Sequence, residues 1–209
     1  MPAPGFAVCP PLIDWGVSWR ALSGERECGD LHIVSPFAGG VLIAAIDGLG
    51  HGPEAAAAAR IAGAVLQDHA DEGVIPLVTR CHQALRKTRG AVLSLASISV
   101  ADSLMSWTAV GNVEGSLFYT SRGLPPSREI APARSGVVGY QLPALRVTTH
   151  PVSVGDTLVF ATDGIKDGFG YEVLRGRSPQ EAAGEILKNF GKDTDDALVL
   201  VARWMGVTP

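Results

Sequence analysis

The order of hydrophobic periods along this chain constrains its fold more than any single motif does. Segments with a period near 3.6 come as a pair, at 53–69 and 74–89, and once more at 178–190. Alternating or continuously apolar strand patterns fill the rest, at 15–21, 31–37, 40–46, 91–100, 105–110, 116–120, 145–150, 157–162 and 197–204. A doubly wound parallel sheet needs a helix between successive strands, and this order does not supply one. Two antiparallel sheets with helices packed outside fit it, so the expected class is α+β. Residues 121–135, which carry Pro125, Pro126 and Pro132, read as a loop.

Local signals place the helix ends. Pro53 suits a first helical position, Glu54 the positive end of the helix dipole, and the alanines that follow have high helix propensity. In the second helix Leu77, Cys81, Ala84 and Leu85 share one side. The third has Ser178 as cap, Pro179 first and Glu181 completing a capping box; Ala183, Leu187 and Phe190 form its apolar stripe and Gly191 stops it.

The 209 residues, with no linker or low-complexity break, are expected to form one domain, 1–209. With 17 Lys and Arg against 21 Asp and Glu, the net charge is −4, and no basic run offers a footprint for nucleic acid or anionic membrane. Cys9, Cys28 and Cys81 contain no C-x-x-C, which argues against a disulfide framework and structural zinc and favours a reducing compartment. The first residues do not read as a signal peptide, and no apolar stretch approaches membrane-spanning length. The expected setting is therefore cytoplasmic. The composition is unusual in its 25 glycines, which show no period and so must serve turns or close backbone approaches.

Two of those glycines belong to a repeated pattern. The strand at 41–46 runs into Asp47-Gly48, and the strand at 158–162 into Asp163-Gly164. Asp195-Asp196 lies directly before the last strand, and Asp30 directly before another. Taken alone, each Asp-Gly is an ordinary turn signal. Taken together, carboxylates at four strand ends would repel one another unless a cation held them. Mg or Mn needs only carboxylate and carbonyl oxygens with water. A rival reading of Gly48-Leu49-Gly50-His51-Gly52 is a dinucleotide loop. It lacks the second strand ending in an acidic residue, because residues 67–72 lead into another helix.

These pieces resemble, in order and over nearly the whole chain, the metal-dependent type 2C (PPM) protein phosphatases. They are nearest the compact bacterial branch that contains SpoIIE, RsbU and RsbX. The matching segments are Gly29-Asp30, Asp47 to Gly52, Gly155-Asp156 through Asp163-Gly164, and Asp195-Asp196-Ala197-Leu198. The resemblance implies a four-layer α/β/β/α sandwich with two Mn or Mg ions at one edge. By that resemblance Asp47 bridges both ions and the Gly48 carbonyl binds one. Asp163 and Asp195 bind the other, and Asp30 acts directly or through water. The implied catalytic set is Asp30, Asp47, Asp163 and Asp195, working through a metal-activated water on phosphoserine or phosphothreonine. The short chain without a sensor domain looks most like the RsbX type, which implies phosphorylated STAS-domain proteins of a stressosome as partners. A monomer is expected. A second hypothesis keeps the fold as a catalytically silent binding module in the same complex, against which the four carboxylates weigh.

The pattern departs from the larger family members in two places. Gly115 stands where they carry an acidic residue for a third metal, and Arg26 is one position off the spacing of their phosphate-gripping arginine, so it reads as a surface residue. His51 reads as part of the loop's geometry rather than a general acid, Asp196 as a turn cap, and Asp167 and Asp193 as loop features. Trp15, Trp19, Trp107 and Trp204 fall on strand patterns and read as core or edge packing.

Overall fold

A computed structural model describes residues 12–120 and 127–206. Its strands are β1 (Ile13–Arg20), β2 (Asp30–Phe37), β3 (Gly40–Gly48), β4 (Ala91–Ser99), β5 (Leu104–Val110), β6 (Glu114–Tyr119), β7 (Ser127–Ile130), β8 (Thr148–Pro151), β9 (Thr157–Ala161) and β10 (Ala197–Trp204). Its α-helices are α1 (Pro53–Asp68), α2 (Val74–Leu85) and α3 (Pro179–Phe190). One sheet has the order β1-β10-β9-β6-β7 and the other β2-β3-β4-β5-β8, with every pairing antiparallel.

Side-chain alternation makes the layers. Along β3, Val41, Ile43 and Ala45 enter the core between the sheets, while Leu42, Ala44 and Ile46 face α1 and α2. Along β10, Leu198, Leu200 and Ala202 enter the same inter-sheet core, while Ala197, Val199 and Val201 meet α3. A strand covered on both faces reads as a continuous apolar run, which is why both segments are so hydrophobic. The sequence α1 and α2, sheet, sheet, α3 gives the expected α/β/β/α sandwich. Burying one such Leu or Ile contributes about 1.5–3 kcal/mol, so three apolar layers supply most of the driving force.

The signals for the helix starts hold, while the buried faces are shifted: Ala84 is exposed in α2, and in α3 Ala182 and Ile186 are buried with Ala183 while Leu187 and Phe190 are only partly so. Ser178 and Glu181 form the full capping box, and Pro53 opens α1. The second helix is shorter than its pattern, ending at Leu85 instead of 89. There Thr88 Oγ1 donates to the Leu85 carbonyl and accepts from the Gly90 N–H, so a side chain closes the helix before the charged residues end. Strand β7 falls inside the segment read as loop; residues 121–126, with Pro125 and Pro126, lie outside the described residues. All four β7 residues are exposed; the strand is held by backbone pairing to β6 and by Arg128, which reaches Glu114 and Ser116 and lies over the Phe118 and Phe169 rings, so it leaves no apolar signature. Trp107 and Trp204 are core residues, whereas Trp15 and Trp19 stay largely exposed on the edge strand β1.

Candidate metal centre

Four strand ends meet at one rim of the sandwich, two from each sheet. In the β2–β3 ladder Asp30 lies directly opposite Asp47, so both carboxylates occupy the same face. Asp47 continues the series Val41, Ile43, Ala45, which places it on the inter-sheet side at the mouth of the core. From the other sheet, β9 ends just before Thr162 and Asp163, and β10 begins just after Asp195 and Asp196. Thr162 joins the two sheets there. Its hydroxyl donates to Asp30 Oδ2 at 2.7 Å and accepts from the Leu198 N–H at 2.8 Å.

The glycine after each strand-end aspartate is required by packing. A Cβ on Gly48 would sit 2.1 Å from the Ala55 carbonyl oxygen in the first turn of α1, and one on Gly164 would sit 1.8 Å from that of Asp196. In both turns another backbone comes so close that any side chain would push it away. The repeated Asp-Gly thus delivers a carboxylate to the rim and lets a neighbouring segment close against it.

Electrostatically the rim is overcrowded. Burial pushes the Asp30 and Asp47 carboxyls well above the ordinary carboxylate range, and repulsion from each other's neighbours, Asp163, Asp195 and Asp196, adds to it. The Thr162 hydroxyl works the other way on Asp30. Asp195 is raised too, chiefly by burial, though its carboxylate accepts the Asp196 N–H. Among the described residues none of these four aspartates has a Lys or Arg salt bridge, and no donor reaches the Asp47 carboxylate. Its oxygens stay open to solvent, since among the described residues no buried side-chain oxygen is left without a partner.

The structure therefore gathers Asp30, Asp47, Asp163 and Asp195 at one place, with the Gly48 backbone beside them. Asp196 plays a different part. It is buried, and accepts the Leu22 N–H at 2.7 Å and the Gly29 N–H at 2.8 Å. It ties down the β1–β2 loop, over 167 residues of sequence, instead of capping its own turn. His51 Nδ1 lies 2.7 Å from Glu25 Oε1, which fits a loop role. Asp193 pairs with Arg20, and Asp167 is exposed beside a cavity of about 200 Å³ that Asp163 also lines. Sequence reasoning missed Asn112, whose Nδ2 donates to Asp163 Oδ2 at 2.8 Å, and Lys192, whose ammonium donates to the Asp163 carbonyl. The only available signal for Asn112 was its place in a tight turn between two apolar strands.

The family model for stage II sporulation protein E (SpoIIE) matches residues 38–205. The chain belongs to the SpoIIE family. Other relatives agree with that membership. The chain is 24% identical over 182 residues to the phosphoserine phosphatase RsbX of Bacillus subtilis, covering 86% of this chain and 89% of the relative. A chain from a structural study of the bacterial stressosome superposes with a TM-score of 0.85 at 32% identity, covering 91% of this chain and 99% of that one. RsbX in complex with magnesium superposes at 0.82 with 23% identity, over 92% and 95% of the two chains. These likenesses confirm the four-layer α+β sandwich.

The residues of this SpoIIE-family rim fit divalent cations. The donor set is all oxygen, its aspartates have no Lys or Arg ion pair among the described residues, and it opens to solvent. Among the described residues no three His, Cys, Asp or Glu side chains form a ready-made cage.

Proposed function

We propose that this chain is a Mn- or Mg-dependent phosphoserine/phosphothreonine protein phosphatase, acting in the cytoplasm on phosphorylated STAS-domain proteins of a stressosome. One domain spanning 1–209, working as a monomer, would suffice for that task. The observation that carries the reading is the direct pairing of Asp30 with Asp47 at a rim shared by Asp163 and Asp195. Similarity to RsbX and to a stressosome chain supports the substrate class.

In this reading Asp47, Asp163 and Asp195, with the Gly48 carbonyl, hold two ions, and Asp30 joins them directly or through water. Bound there, the ions would neutralise phosphate charge and lower the pKa of a water poised for in-line attack. The protein's own part is placement. Thr162 fixes one Asp30 oxygen and leaves the other free. Asn112 and Lys192 hold Asp163 from its side chain and its backbone. Asp196 anchors the Gly29 N–H, so the β1–β2 loop delivers Asp30 at a fixed height. Fixed placement of this kind removes the entropic cost of assembling the site at each turnover.

The test is hydrolysis of a small aryl phosphate and of a phosphorylated STAS-domain protein, with Mn or Mg and with chelator. Activity that depends on the ion and disappears in Asp47→Asn supports the proposal. Unchanged turnover in Asp47→Asn or in metal-free protein would overturn it.

A further inference from the structure

Two of the four tryptophans are left in solvent. Trp15 is 42% exposed and Trp19 57%, while Trp107 and Trp204 are 0% and 3%. With Val17 between them, Trp15 and Trp19 alternate along one face of β1, the outer strand of its sheet. The neighbouring edge of the other sheet is β2, and the Trp15 ring stands 5.5 Å from that of His32. Towards the rim the strip continues into a groove of about 310 Å³ lined by Trp19, Arg26, Cys28, Asp30, His32 and Arg60. Contiguous exposed aromatic surface marks a place that binds something.

Three observations decide what. The groove abuts the rim of carboxylates, because Asp30 lines it, although Asp47, Asp163 and Asp195 do not. Its size suits a few side chains in an extended segment rather than a flat domain face. Its arginines differ in their partners: Arg60 is matched by Glu27 at 2.7 Å, whereas exposed Arg26 has no acidic partner among the described residues. We propose that this groove seats the polypeptide flanking the phosphorylated residue, an apolar side chain lying on Trp19 and an acidic one meeting Arg26. The inference rests on the phosphatase reading and adds substrate selection to it. Trp19 and Arg26 are specificity residues here, outside the set of carboxylates proposed to hold the ions.

The experiment compares phosphoserine peptides flanked by Leu and Glu, on either side, with Ala-flanked peptides and with p-nitrophenyl phosphate, all with Mn. The wild type should prefer the Leu/Glu flanks about tenfold in kcat/KM, the size of effect that a single aromatic anchor commands. Trp19→Ala should erase most of that preference through KM while leaving aryl phosphate hydrolysis unchanged. Trp19→Phe should keep it, and Arg26→Glu should shift it towards Lys-containing flanks. Melting temperature and sedimentation are followed for each variant. Three results overturn the inference: no flank preference in the wild type, an equal loss on aryl phosphate and peptides in Trp19→Ala, or a change in sedimentation alone, which would make the face an interface between copies. A wild type inactive on aryl phosphate would remove the phosphatase reading itself, and this inference with it.

Discussion

Strand β9 has an aspartate just beyond each end, and the two are held in opposite ways. Before the strand, Asp156 is buried and accepts the Thr120 N–H at 2.8 Å and the Ser153 N–H at 2.9 Å. After it, Asp163 is partly exposed, receives one amide hydrogen bond from Asn112, and faces Asp30, Asp47 and Asp195. One carboxylate is saturated by backbone donors and knits loops together. The other stands among like charges. Burial alone does not distinguish structural from functional acids; what surrounds the charge does.

The sharpest way to break this comparison is to neutralise one acid of the rim that Asp163 joins, Asp47 at the end of β3, and then the buried Asp156 at the far end of β9. Asp47→Asn should lower phosphate hydrolysis by more than the roughly 100-fold that outer partners of a metal site cost. It should also raise the melting temperature of the metal-free protein near neutral pH, since it removes a carboxyl whose ionisation burial and its neighbours disfavour in the fold. A variant that loses stability without added metal would show that the rim is not strained. At the other end, Asp156→Ala takes the acceptor from two part-buried N–H groups and should cost about 1–3 kcal/mol in denaturant unfolding. Aryl phosphate turnover per folded molecule should stay near wild type. A smaller effect is expected at Asn112. Asn112→Ala should weaken Mn or Mg binding about tenfold in calorimetry with little change in melting temperature.

The gentlest test is pH. The Asp30 and Asp47 carboxyls are raised above their unfolded values by burial and mutual repulsion, so the folded chain holds protons that the unfolded chain has released. Their contribution to stability is therefore complete below the ordinary carboxylate pKa near 4 and is lost as pH rises through the elevated folded values. Metal-free protein should melt at progressively lower temperature from about pH 5 into the alkaline range. Saturating Mg should flatten that slope, and an identical slope with and without Mg would contradict the rim as the cation site.

Much of this was legible from residues. The strand–Asp-Gly pattern marked both Asp47 and Asp163 because a strand end and its turn are local events. The capping box at Ser178 was equally local. Other features left no such trace. Strand β7 was missed because its four residues are exposed and its pairing uses backbone atoms that every residue has. Asp196 was misjudged because its partners, Leu22 and Gly29, come from the far end of the chain. Asn112 was missed since nothing near it in sequence indicates that Asp163 is within reach.

By itself the sequence determined the class of fold, the positions of the strand ends and the carboxylates set on them, since periodicity and turn chemistry act over a few neighbouring residues. Only the tertiary structure decided that Asp30 stands opposite Asp47, that Thr162 binds one sheet's carboxylate from the other sheet, and that Trp15 and Trp19 remain uncovered. Those facts depend on strand register and on how two sheets pack, which arise from contacts between residues far apart in the chain. The glycines at 48 and 164 belong to both accounts: the turn they mark is local, but the backbone that forbids a side chain there arrives from elsewhere.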